Sequence, residues 1–182
     1  MYILGQICGI IGAIVSIFKP LFRRKVHILI CVFIVNVMCT LNFVLIGKVG
    51  AAAFVCMVAI LQATISIIHE YRNTSISDIE KIIFLCLYVG VGLLGVVTAK
   101  GFVWELSWKN ALELMPVIGA LMLMFSVFAK TVQHTRYFLL LNGLVWLFYN
   151  AIVGATTLFT NIVTVCFTSY AIWKYREIKE SK

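Results

Sequence analysis

Charge is what this chain has least of. Only 12% of its 182 residues are charged, while 63% are hydrophobic. Ordinary soluble domains are about a quarter charged and roughly half apolar. A chain this short cannot hide so much apolar surface from water, so a multi-span membrane protein is the class that fits. Proline is also scarce, with two residues, which argues against disordered tracts and long loops. Acidic residues number seven: Glu70, Asp78, Glu80, Glu105, Glu113, Glu177 and Glu180. All fall at the ends of apolar runs or between them. Cysteine is absent from every polar joint. Cys8, Cys31, Cys39, Cys56, Cys86 and Cys166 all lie inside apolar runs, where they read as small hydrophobes, not as a disulfide framework or a metal site.

What is present is a series of apolar runs. The most apolar stretch of the middle, Ile82 to Ala99, carries no charge at all. Three runs precede it: Ile3 to Phe18, His27 to Ile46 and Gly50 to Ile68. Three follow: Ala111 to Phe128, Tyr137 to Val153 and Thr156 to Trp173. Each is long enough, at roughly 17–20 residues, to cross a hydrocarbon core of about 30 Å. The first run has its positive charge behind it, the reverse of a secretory signal, and is expected to stay as a transmembrane helix. Its Gly5, Gly9 and Ala13 form a stripe that allows close approach of another helix. Gly47, Lys48 and Val49 leave room only for a tight turn. Ser77 and Glu80 have the spacing of a capping box, as do Asn110 and Glu113, and Trp104 and Trp108 suit a membrane–water interface.

Seven alternating spans place twelve of the fifteen basic residues on one side. These are Lys19, Arg23, Arg24, Lys25, Arg72, Lys81, Lys130, Arg136, Lys174, Arg176, Lys179 and Lys182, against Lys48, Lys100 and Lys109 on the other. The richer side is cytoplasmic by the positive-inside rule, with the amino terminus outside and the carboxyl terminus inside. The net charge of +8 is therefore a topology signal, and nucleic acid is excluded as a partner.

The first three spans resemble the last three. At an offset of 107, Gly12, Ala13, Phe18 and His27 meet Gly119, Ala120, Phe125 and His134. After three residues drop out, Gly50, Ala51, Thr64, Ile68, Tyr71 and Arg72 meet Gly154, Ala155, Thr168, Ile172, Tyr175 and Arg176. Two odd-numbered repeats in series would face opposite ways; the central span restores a parallel pair. The fold expected is all-α: seven transmembrane helices as two parallel three-helix repeats, residues 1–72 and 111–176. A linker helix with its flanks, 73–110, joins them, and a cytoplasmic tail, 177–182, follows.

This 3+1+3 layout resembles the SWEET sugar facilitators, whose halves are parallel repeats, and the one-repeat semiSWEETs. Pro116, about one turn into the fifth run, resembles the bending proline of SWEET-like and PQ-loop repeats; Gly9 stands at the matching place in the first copy, with Gln6 nearby. A plain helix-start proline is the alternative. A fuller resemblance rests on Glu113 to Ala120, ELMPVIGA, followed by Trp146, Asn150 and Gly154 at four-residue spacing. It is to the YgjV-like bacterial inner-membrane proteins, and implies a multi-pass protein of the bacterial inner (plasma) membrane.

No carboxylate sits mid-span, and His27, His69 and His134 fall at one edge, which argues against proton coupling, against enzyme chemistry and against a metal site. No cofactor is expected. The polar residues at depth are neutral: Asn36, Gln62, Asn142, Trp146 and Asn161. Amides in hydrocarbon must find partners; they either join helices or line a cavity for a hydroxylated or amide-bearing solute. The resemblance to SWEET sites singles out Trp146 and Asn161, because those sites pair a tryptophan of a repeat's second helix with an asparagine of its third. The first copy lacks both, near Cys39 and at Met57, so the implied site leans on the second half. Two readings follow: an uncoupled facilitator of a small neutral, sugar-like solute, with Pro116 and Gly9 at its bending points, or a non-transporting scaffold, assembly factor or sensor. The expected partners are the lipid bilayer and the solute, with a homo-oligomer left open.

Overall fold

A computed structural model describes residues 1–47, 51–100, 114–153 and 158–176. Among these residues the chain is helical, without strands. Seven α-helices are present: α1 (Tyr2–Phe18), α2 (Lys25–Leu45), α3 (Ala51–Tyr71), α4 (Asp78–Lys100), α5 (Met115–Phe128), α6 (Val132–Val153) and α7 (Leu158–Lys174). A short 3₁₀ turn, Lys19–Leu21, follows α1. Among the described residues four segments are long and apolar enough to cross a membrane: Tyr2–Leu21, Lys25–Leu45, Ala52–Tyr71 and Asp78–Val97; α5 is a shorter apolar helix. The expected residues Lys48, Trp104, Trp108, Asn110, Glu113, Gly154 and the tail 177–182 lie outside the described residues.

Local signals act where the sequence puts them. Ser77 accepts at its hydroxyl from the Glu80 backbone N–H at 3.2 Å, while a Glu80 carboxylate oxygen accepts from the Ser77 backbone at 2.7 Å. That closed capping box starts α4, four residues before the uncharged run begins. Gly47, at φ +72°, turns the chain after α2 in a conformation that favours glycine.

The helices follow one another around a ring. α1 packs on α2, α2 on α3, α3 on α5, α5 on α6, α6 on α7, and α7 returns to α1; α4 packs on both α3 and α5. The directions can be read from the contacts. Gly5 faces Leu45 and Ile46 while Gly12 faces Met38, so α1 and α2 are antiparallel. Lys25 pairs with Glu70 at 3.5 Å, and Gln62 meets both Tyr88 and Met124. With Val127 clustered against Ala63, α3 and α5 run parallel and α4 opposes both. One end of the bundle collects Arg23, Arg24, Lys25, Arg72, Lys81, Lys130, Arg136 and Lys174, and is called the basic end below.

Small residues let the neighbours approach. On α1, Gly5, Cys8 and Gly12 are buried against α2, while Ile3, Ile7, Ile10 and Ile14 face outward and are exposed. A water-soluble protein rarely leaves such a patch uncovered; lipid covers it at no cost. α3 is the hub. Its Val55, Val58 and Ala59 pack with Phe84 and Tyr88 of α4 and with Ala120 and Met124 of α5, and its Ala63 meets Leu29 and Val32 of α2 and Val127 of α5. The other face of α4, including Ile82, Ile83, Leu93 and Leu94, is exposed, so this helix lies on the outside of the α3/α5 seam.

Two glycines of α4 test that packing. A Cβ at Gly92 would stand 2.9 Å from Val117 Cγ2, whereas a Cβ at Gly90 meets nothing within 4 Å. Valine is stiff about χ1 and cannot turn aside freely. Gly92→Ala is expected to lower the thermal unfolding midpoint in detergent; Gly90→Ala should leave it unchanged or raise it, by up to about 1 kcal/mol of helix propensity.

Candidate functional site

Four of the five polar residues singled out by depth are held by the protein itself or lie on a seam between helices. Gln62 is fully enclosed, at 0% exposure. Its Nε2 donates to the Met124 carbonyl at 3.1 Å and its Oε1 accepts from the Tyr88 hydroxyl at 2.7 Å. One amide thus ties α3, α4 and α5 together. Asn36 is buried and donates to Val32 O of its own helix at 2.7 Å. Asn142, on α6, donates to the Gly119 carbonyl of α5 at 2.6 Å. The Trp146 indole lies over that same glycine: a Cβ at Gly119 would meet Trp146 Nε1 at 2.9 Å. Its other neighbour is the Tyr149 ring, edge-on at 5.7 Å. Asn161 is partly exposed, and its amide makes no hydrogen bond to the described residues.

The structure therefore brings Asn142 and Trp146 together, one helical turn apart on α6 and against one glycine of α5. Gln62 sits at the other seam of α5. Asn36 turns inward on its own backbone. The two bending residues differ in surroundings. Pro116 is buried in the first turn of α5, where its missing N–H is not needed; the expected start of that run at Ala111 lies outside the described residues. Gly9 makes room for the Asn42 amide of α2, which lies where its Cβ would be.

Gly12 faces Met38 and Cys39 on α2, and Gly119 faces Trp146 on α6; the pairs Gly12–Cys39 and Gly119–Trp146 stand at the offset of 107. Thr64 donates to Ile60 O at 2.8 Å, and Thr168 donates to Thr164 O at 2.7 Å, the one-turn-back bond that helical threonines commonly make.

Two cations escaped the search for polar groups at depth because their Cα atoms lie at the basic end. Arg136 is 3% exposed. Its Nε donates to Pro20 O at 3.0 Å, its Nη2 to Phe22 O at 2.9 Å and its Nη1 to Gln133 at 3.2 Å. Its guanidinium also lies 4.5 Å from the Tyr175 ring centre. One side chain of α6 thus holds the chain between α1 and α2 and the end of α7. The rigid fork of five donors suits this task, and lysine's single ammonium does not. Lys19 is 6% exposed, and its ammonium lies within electrostatic reach of Cys31 and Cys39 on α2. The signal for Arg136 was faint: an arginine close after the turn into α6, beside Gln133. The signal for Lys19 was its place one residue past α1, because helical side chains lean back toward the amino terminus.

Two clefts open at the basic end. One, of about 500 Å³, lies between α4, α5 and α6; the other, of about 540 Å³, is lined by Arg23, Arg24, Lys25, Glu70 and Lys130 among others. None of the five polar residues lines either. The described residues contain no cluster of three or more His, Cys, Asp or Glu side chains placed to hold a metal, and all six cysteines are free.

A family model described as Imp-YgjV, bacterial inner membrane protein, matches residues 3–179. No curated protein and no solved structure matches the chain.

The Gln62 joint makes a prediction of its own. Tyr88→Phe leaves a fully enclosed amide oxygen without its donor, at a cost of about 1–3 kcal/mol. The thermal unfolding midpoint in detergent should fall accordingly. Tyr137→Phe, at an exposed ring, serves as the control and should leave it in place.

Proposed function

The chain belongs to the Imp-YgjV family of bacterial inner membrane proteins, and from the arrangement of its helices we propose that it is an uncoupled facilitator of a small neutral, sugar-like solute. On this reading all seven helices span the membrane, and residues 1–72 and 111–176 form two parallel three-helix repeats. The segment 73–110 joins them from outside the ring, in the SWEET-like manner. The observation that carries the proposal is the order of packing. α1–α2–α3 and α5–α6–α7 form two arcs that meet at two seams, α3/α5 and α7/α1, while α4 stays outside. Two arcs with two seams are what rocking needs. The amino terminus lies outside the cell and the carboxyl terminus inside, with the basic end at the cytoplasm.

In this mechanism the solute sits between the arcs on the side of the second repeat. The Trp146 face supplies an apolar platform for C–H groups, and Asn161 offers a donor and an acceptor to hydroxyls. Asn142 and Asn36 hold the walls at that depth, and Gln62 holds the seam. Arg136 fastens the arcs at the basic end, since it joins α6 to the chain that follows α1. Pro116 and Gly9 lie in the first helix of each arc, as its bending points. Among the described residues no carboxylate or histidine stands mid-span to couple movement to protons, so on this reading the solute gradient is the driving force. The protein is not an enzyme and needs no cofactor.

A second reading, a non-transporting scaffold or assembly factor, is favoured by one observation. Asn36, Gln62 and Asn142 all donate to backbone carbonyls, the bonding pattern of helix glue.

Flux in proteoliposomes separates the two. The carrier reading expects downhill entry of a labelled sugar, polyol or amide-bearing solute. Trp146→Ala and Asn161→Ala are each expected to slow it about tenfold, the loss of one contact of about 1.4 kcal/mol. Folded protein that moves none of these solutes supports the scaffold. Unchanged flux in both variants removes Trp146 and Asn161 from the site.

A further inference from the structure

The two clefts at the basic end share a residue, Lys130, and their linings are unlike. The first is walled almost wholly by apolar side chains: Ile82 and Leu85 of α4, Phe125 and Phe128 of α5 and Phe138 of α6. Ile82, Leu85 and Phe125 are exposed, so the cleft opens sideways from the bundle, where acyl chains lie. At its mouth stand Lys81, Lys130 and His134. The second cleft lies on the other side of Lys130 and carries Arg23, Arg24 and Lys25. Its one acid, Glu70, is already paired with Lys25 at 3.5 Å. Lys81 is similarly held by Asp78 at 2.6 Å, while no carboxylate among the described residues pairs with Lys130, Arg23 or Arg24.

Arg23 also lies over the Tyr175 ring at 5.5 Å, yet an apolar cleft open to the membrane that ends at cations without a carboxylate in salt-bridge contact is chemically one-sided. It takes a molecule with a hydrocarbon tail and an anionic head. From this juxtaposition we propose that the α4/α5/α6 cleft binds an anionic glycerophospholipid, its acyl chain along Ile82, Leu85 and Phe125 and its phosphodiester between Lys130 and the Arg23–Arg24 pair. A zwitterionic lipid would bring its own cation to the same place and lose the attraction. Basic pockets between spans at one membrane face take such headgroups, and each cation close to the surface adds to the attraction for anionic lipid. The site lies apart from Trp146 and Asn161, so its occupancy does not depend on transport.

The test is native mass spectrometry of the purified full chain, released from detergent with equal amounts of phosphatidylglycerol and phosphatidylcholine of the same acyl chains. The expected result is retention of phosphatidylglycerol at least fivefold over phosphatidylcholine, and loss of that preference in Arg23→Gln/Arg24→Gln/Lys130→Gln. Leu85→Gln, which keeps every cation, should weaken both lipids together. Equal retention of the two lipids by the wild-type chain overturns the proposal, whatever the variants do. Displacement of bound phosphatidylglycerol by inorganic phosphate at millimolar concentration also overturns it, since the site would then read a phosphate and not a lipid. A folded triple variant that keeps the wild-type preference removes Lys130 and the arginine pair as its cause.

Discussion

Everything in this bundle depends on a constraint that a soluble protein does not face: apolar burial cannot hold the helices to one another, because lipid is as good a neighbour as leucine. Close packing and internal polar bonds must do it instead. Gln62 is where that constraint is met most fully. Its amide is used on both atoms, by a carbonyl of α5 and a hydroxyl of α4, and nothing of it reaches the surface. The clusters around it follow the same rule. They are built from Ala59, Ala63 and Ala120 with Val55 and Val58, residues small enough for α3 to touch three other helices at once. On α1 the large side chains, Ile3, Ile7, Ile10 and Ile14, face outward instead.

The polar work is divided by depth. In the middle, amides and hydroxyls turn to backbone oxygens: Asn36, Asn142, Thr64, Thr164 and Thr168 each donate to a carbonyl. At the basic end, charged groups take over. Lys25 meets Glu70, His69 meets Glu80 at 3.0 Å, and Arg136 gathers two carbonyls that the 3₁₀ turn and its exit leave open. The order follows from desolvation. A charge is expensive at depth and cheap at the edge, whereas a neutral amide is affordable at depth once it has a partner.

Much of the fold was legible because it rests on local rules. Apolar runs, a capping box at Ser77 and Glu80, and a turn glycine at Gly47 each act through their nearest neighbours: the box and the turn appear in their places, and four of the expected runs appear as helices of spanning length. The all-helical class and the membrane family follow from the same signals. The site was less legible because partners are chosen between helices. Sequence depth alone marked Gln62 and Asn142 as polar groups needing bonds, but not that Tyr88 would turn inward to meet the first or that Gly119 would open its carbonyl to the second. Arg136 and Lys19 were hidden for another reason. Both Cα atoms lie at the edge: Lys19 is carried inward by the backward lean of its long side chain, while Arg136 is covered at the edge by Pro20 and Phe22, whose carbonyls it meets.

The two seams between the arcs are unequal, and the inequality has a consequence for movement. The α3/α5 seam is braced from outside by α4, carries the Gln62 bonds, and buries Val58, Ala59, Met124 and Val127. Among the described residues no outer helix covers the α1/α7 seam. Its contacts include a ring pair, Phe18 with Phe167 at 6.2 Å, Arg23 over the Tyr175 ring at 5.5 Å, and the reach of Arg136 across the basic end. Opening the first seam would strand a fully enclosed amide and expose a packed cluster; opening the second breaks charge-assisted bonds at an edge where water can replace them. The rocking proposed above would therefore turn about α3/α5 and open along α1/α7. In that proposal α4, by bracing α3 against α5, makes one of two unequal seams the hinge and leaves the other to part.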